Sequence, residues 1–207
     1  MVVSSYRAAW IVAAMLFLTV LTQLIYVGAG EATAQGLGKA LWRVEIVAYL
    51  VMALYALRLA RQHPLAAAGL LVGGLLNVIQ LGIGLHMFET LRQEGVPEAV
   101  FRAVLQLAFF LYFAGKFALG FTAAGLGSVL FRSGGGVTGW IGIAAMLAGV
   151  AAIGMTLLAM LGGESRFTFP AGAAGTAAAL IAGIALPLAY RRGEHASGRS
   201  DESEAEA

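Results

Sequence analysis

The chain has 207 residues, of which 60% are hydrophobic and 12% charged, with a formal charge of +2. A soluble domain of this size carries about twice that charged fraction, and the absence of cysteine excludes disulfides, thiolate metal sites and cysteine catalysis. The basic residues form no stripe or patch, so nucleic acid is excluded as a partner.

Apolar stretches of about twenty residues recur along the chain, the length that crosses roughly 30 Å of hydrocarbon. The pattern predicts an all-α integral membrane protein, a bundle of six transmembrane helices joined by short loops, with the lipid bilayer as its solvent. The first span runs over about 8–28, after Arg7. Its basic start and the "ATA" at 32–34 resemble a cleavable signal peptide. The apolar stretch is as long as a full span and is interrupted by Thr19, Thr22 and Gln23, so retention as a helix is expected. The second span covers about 41–59 and ends in "RLARQHP", and the third covers about 65–88. The fourth covers about 103–130; Pro97 suits a first helical turn and allows the helix to start earlier and cross obliquely. The glycines of "FRSGGGVTG" end it. The fifth and sixth spans cover about 140–161 and 171–190, with Pro187 kinking the sixth or absorbed in its last turn. The transmembrane domain thus takes in 1–192, and 193–207 reads as a polar, disordered tail.

Basic residues set the orientation. One side holds Arg7, Arg58, Arg61, Arg132, Arg191, Arg192 and Arg199; the other holds Lys39, Arg43, Arg92, Arg102 and Arg166, interleaved with Glu31, Glu45, Glu89, Glu94, Glu98 and Glu164. Seven against five places both termini in the cytoplasm of a cell whose plasma (inner) membrane carries the protein. Short connections make sequence neighbours antiparallel neighbours in space. Small residues at four-residue spacing, such as Ala145 and Gly149, allow close helix packing within the bundle, and the same Gly/Ala-rich helices offer a surface to a second copy or another membrane partner.

Polar residues inside the spans are the candidates for a site. Lys116 interrupts "FFLYFAGKFALGF" near the bilayer midplane, where a charge costs roughly 3 kcal/mol or more and must face the bundle interior. At 100° per residue it shares a broad face with Arg102, Gln106, Tyr112 and Gly120, which reads as one wall of a cavity opening outward. Glu45 is the acid within a span, with Tyr49 on its face. Upright helices would place it about 7 Å from Lys116 in depth, within reach of an extended lysine. A Glu45–Lys116 pair, direct or through water, is therefore expected. The competing arrangement has Lys116 donating to backbone carbonyls and Glu45 pairing with Arg43 or Lys39 at the interface. Asn77 and Gln80 lie on one face of the third span, with Asn77 at the depth of Lys116. They serve either as helix-to-helix glue or as cavity lining. Thr19, Gln23 and Tyr26 form a weaker polar stripe on the first span. His86 lies near the end of the third span on about the opposite side from Asn77, in a ladder with Glu89 and Arg92 that reads as interfacial.

The histidines are too far apart to share a metal or haem, and no cofactor is expected. Ser128 has no histidine in a later helix to activate it, "RSGGGVTG" lacks the Gly-Lys-Ser/Thr of a phosphate-binding loop, and no HExxH is present. A non-enzymatic role is expected. The leading functional expectation is a small transporter or permease-like protein for a small-molecule or ion ligand, with an internal polar cavity centred on Lys116. The alternatives are a non-catalytic accessory subunit, sensor or assembly factor, and a membrane enzyme acting on a lipid headgroup.

Overall fold

The computed structural model describes residues 4–93, 95–133, 135–162 and 165–205. Glu94 and Glu164 lie outside the described residues, as do the side chains of Glu31, Arg192 and Arg199. The described residues are helical without strands: α1 (Ser5–Gly28), α2 (Gly30–Leu59), α3 (Pro64–His86), the short α4 (Phe88–Leu91), α5 (Glu98–Ser133), α6 (Val137–Gly162), a 3₁₀ turn (Ser165–Phe167) and α7 (Thr168–Ala205). Six of these helices are long and apolar enough to cross a membrane, and the protein is a membrane-embedded helical bundle.

Local chemistry sets the ends. The Ser4 side chain accepts from the Arg7 N–H and caps α1, and Pro64 occupies the first turn of α3, where a missing N–H costs nothing. Gly136 takes φ +61° in the link that turns α5 into α6, a conformation suited to glycine. Two boundaries differ from the sequence pattern. The polar stretch before the second span is not an open loop: α2 begins at Gly30, with Ala29 alone between it and α1, and its spanning part is Gly36–Leu59. α5 starts just after Pro97 and runs for 36 residues, about 54 Å at 1.5 Å per residue. Pro187 lies inside α7, whose spanning part is Thr168–Arg191 and whose backbone stays helical to Ala205, through the stretch read from sequence as a disordered tail.

Five of the spanning helices close a ring. α1 packs on α2, α2 on α3, α3 on α5, α5 on α7 and α7 back on α1, while α6 packs outside against α5 and α7. Across the ring the backbones stay apart: among the described residues no Cα of α5 comes within 8 Å of one of α1 or α2. Side chains fill the middle. At the end carrying Ser4 and Arg191, here the near end, the filling is apolar: Val12 and Leu16, Leu59, Leu70, Leu126 and Leu130, and Leu186 are fully buried. Tyr190 closes that end by donating its hydroxyl to the Leu59 carbonyl (2.7 Å) and meeting the His63 ring edge-on at 4.9 Å. Burial holds the His63 imidazole below its ordinary range.

α5 and α6 meet along a seam of small residues. A Cβ on Gly127 would lie 2.6 Å from the Gly142 carbonyl oxygen and from the Met146 nitrogen, and a Cβ on Gly120 would lie 2.9 Å from the Gly149 carbonyl oxygen. Ala145 and Gly149 are therefore used inside the bundle, where backbone contact replaces side-chain packing. The outer faces carry Leu54, Leu57, Val72, Ile79, Leu147 and Val150 exposed, the surface of a protein whose solvent is hydrocarbon.

Candidate functional site

The apolar filling gives way to polar side chains in the half of the ring toward the far end, where α1 finishes and α5 and α7 begin. Four helices each contribute residues one turn apart, a spacing that stacks side chains on one face. They are Thr19, Thr22 and Gln23 on α1, Glu45 and Tyr49 on α2, Tyr112 and Lys116 on α5, and Gly172 and Thr176 on α7.

Lys116 is at the centre and fully buried, at 0% exposure. Its stem lies against Gly175 of α7, where a Cβ would come within 2.7–2.8 Å of the lysine Cβ, Cγ and Cδ. The absence of a side chain at 175 makes the space that the lysine occupies. From there the side chain crosses the ring to α1, and Nζ donates to Gln23 Oε1 at 2.9 Å. Nζ also stands 5.4 Å from the centroid of the Tyr112 ring, within cation–π range.

Gln23 joins the helices together. Its carbonyl oxygen accepts from Lys116 and, at 2.7 Å, from the Thr176 hydroxyl, which also lies 2.9 Å from the Gly172 carbonyl. Its amide nitrogen faces the Tyr49 hydroxyl at 3.4 Å. The Tyr112 hydroxyl reaches toward Thr176 and lies where a side chain on Gly172 would be, 3.3 Å from that Cβ position.

Glu45, 6% exposed, is held by the preceding residue of α1: the Thr22 hydroxyl donates to Glu45 Oε1 at 2.6 Å. That hydroxyl is also 2.9 Å from the Thr19 carbonyl, and its single proton serves one acceptor at a time. Thr19 returns its own hydroxyl to the Leu16 carbonyl, the usual way a hydroxyl is satisfied inside a helix.

The direct Glu45–Lys116 pair expected from sequence is not made. No nitrogen–oxygen distance between them falls within 4.0 Å, and the ion pairs among the described residues are Lys39–Glu89 and Arg102–Glu98. The reason is local: the adjacent residues Thr22 and Gln23 take one charged group each and hold them apart. Each still acts electrostatically on the other, and the Glu45 charge also acts on Tyr49 and Tyr112. Nor does Glu45 pair with Arg43 or Lys39, since Lys39 bonds Glu89 across to α4.

The remaining candidates separate from this cluster. Asn77 is buried at 1% exposure, but its amide returns to the Gly73 carbonyl of its own helix at 2.8 Å and packs on Gly115 of α5. It forms helix-to-helix packing on the α3 side. Gln80 is half-buried, and Gln106 and Arg102 are exposed, with Arg102 3.5 Å from Glu98 on its own helix. His86 is exposed at the end of α3, and its ladder is broken up, because Glu89 turns to Lys39 and Arg92 stacks over Phe101. Gly172, Gly175 and Thr176 are site residues that the sequence reading did not pick out, and Thr22 was noted there only as an interruption of the first span. Thr176 is a single hydroxyl in "AGAAGTAAAL", and its position directly after a glycine on an otherwise apolar helix was the available signal.

No protein family, curated protein or solved structure matches this chain.

Proposed function

We propose that the protein is a small transporter or permease-like protein of the plasma membrane, with both termini cytoplasmic, and that the Lys116 cluster is its solute site. The orientation follows from seven basic residues at the near end against five at the far end, which turns the polar half of the ring toward the outside. The observation that carries the reading is that Glu45 and Lys116 are the charged residues buried among the described residues, and that they share one interior without touching. Structural ties between helices elsewhere in the bundle are neutral: Thr122 to the Ala66 carbonyl and Tyr190 to the Leu59 carbonyl. Hydroxyls suffice as glue here. A buried acid and base held apart are far more costly than such ties, and intramembrane ionisable groups mark pathways for ions and polar solutes.

Protonation of Glu45 removes the charge that acts on Lys116, which gives a route for coupling proton entry to solute movement. The test is flux into proteoliposomes that contain a pH-sensitive dye and are offered a panel of small polar solutes. The expected result is solute-dependent proton entry that Glu45→Gln abolishes. Flux no greater than in protein-free liposomes, or full proton coupling in Glu45→Gln, would refute it.

A second reading, a non-catalytic accessory subunit, sensor or assembly factor, has one observation in its favour. Among the described residues no buried side-chain nitrogen or oxygen lacks a partner, as in a network that only fixes helix register. On that reading Lys116→Met lowers folded yield and no solute produces flux.

A further inference from the structure

We infer that the site takes a small zwitterion, a molecule carrying an ammonium and a carboxylate on one short skeleton, with the carboxylate at Lys116 and the ammonium at Glu45. The inference deepens the transport reading and rests on the Lys116 cluster being the solute site.

Three observations carry it. First, the buried acid and base face one interior from α2 and α5, helices whose Cα atoms do not come within 8 Å of each other. The two groups are separated by more than 4.0 Å, with no ion pair between them. Second, each is held by a neutral group. Thr22 donates one hydrogen bond to Glu45 and Gln23 accepts one from Lys116. An ammonium has three N–H donors and a carboxylate about four acceptor positions, so both retain capacity that a ligand of opposite charge can fill. Third, the groups around the two charges are neutral and polar: Thr176 and Lys116 share the Gln23 carbonyl oxygen, the Tyr112 ring lies beside Lys116, and the Glu45 charge acts on both Tyr49 and Tyr112.

Net charge decides between ligand classes. A monoanion bound at Lys116 would face the Glu45 carboxylate across a poorly screened interior, and a monocation at Glu45 would face the ammonium. A zwitterion meets both groups with the opposite sign and leaves the occupied site neutral. Its length must match a gap wider than a salt bridge, so affinity should depend on the separation of the ligand's two charges.

The experiment uses the full chain in lipid nanodiscs and measures equilibrium binding of radiolabelled glycine, β-alanine and 4-aminobutyrate, a series of increasing charge separation. Propionate and propylamine serve as half-ligands. The expected result is that one member of the series binds with a Kd of about 1 mM or tighter and about tenfold or more better than either half-ligand. Glu45→Gln, which keeps the oxygen that Thr22 bonds, should weaken that member by about tenfold or more and should not weaken propionate, which is freed from the repulsion of the Glu45 carboxylate. The inference is overturned if no amino acid of the series binds the folded protein, if propionate binds as well as the best of them, or if Glu45→Gln has no effect. Should Glu45→Gln not give a monodisperse protein, the wild-type ratio of zwitterion to half-ligand affinity decides. The two readings fail separately: zwitterion binding without flux overturns transport alone, and flux of another solute by a protein indifferent to the series overturns the ligand class alone.

Discussion

Replacing Gly175 by alanine tests whether the lysine is positioned by the space opposite it on α7. The added Cβ would lie 2.7–2.8 Å from Lys116 Cβ, Cγ and Cδ, about 0.7–0.8 Å short of the roughly 3.5 Å at which carbon atoms rest in contact. The near end of the lysine stem cannot rotate away, because its Cβ is fixed to α5. Either α5 and α7 separate, or the stem shifts and Nζ loses its 2.9 Å bond to Gln23. Overpacking of this kind costs about 1–3 kcal/mol, and 2 kcal/mol is a factor of about 30 in the unfolding equilibrium. Unfolding in mixed micelles, followed by tryptophan fluorescence, reads this directly. Gly154→Ala is the control, since a Cβ there meets nothing within 4 Å. In a Lys116→Ala background the Cγ and Cδ contacts are gone and only the Cβ contact remains, so the penalty at 175 should fall but not vanish. If Gly175→Ala is as stable as Gly154→Ala, or if its cost is unchanged without the lysine stem, then Gly175 does not shape the site.

The same assay reads two further positions. Gly127→Ala places a carbon 2.6 Å from the Gly142 carbonyl oxygen and the Met146 nitrogen. These are backbone atoms that move only with their helix, so a loss of about 1–3 kcal/mol is expected, and stability equal to wild type would refute the seam. Tyr190→Phe removes the hydroxyl that donates to Leu59, but that carbonyl keeps the Gln62 and His63 N–H groups at 3.3 and 3.2 Å. The expected loss is therefore only that of one net hydrogen bond, about 0.5–1.5 kcal/mol; a larger loss would mean that the tyrosine holds the near end in some other way.

The number of spanning helices was legible in the sequence because span length is a one-dimensional property: an apolar run either covers the hydrocarbon or it does not. Lys116 as the centre of the polar cluster was legible for the same reason, since depth follows from position in a span. Neighbours on the same helix followed from the one-turn rule, which joins Tyr112 to Lys116 and Tyr49 to Glu45. Rotation about the helix axis was the missing variable. Asn77 shares the depth of Lys116 yet packs on Gly115, one residue before the lysine and about 100° around α5. Gln106, on the lysine's own broad face, is exposed: the face that is interior at 116 is not interior ten residues earlier.

The choice of partner for Lys116 depended on a contact that short loops do not specify. Connections of a few residues make α1 a neighbour of α2 and α6 a neighbour of α7, but the closure of α7 onto α1 comes from packing alone. That closure places Gln23 between Thr176 and Lys116, while Thr22, one residue earlier, meets Glu45 across the α1–α2 contact. Two adjacent residues on one helix therefore bond the acid and the base separately. A rotation of α1 about its axis alters both bonds in one movement, because the side chains of 22 and 23 diverge by about 100°. A solute that fills the remaining capacity of both charges would bear on α1 through Thr22 and Gln23 together. α1 is thus the helix whose position the occupancy of the site would change, and the one on which a label should report solute binding.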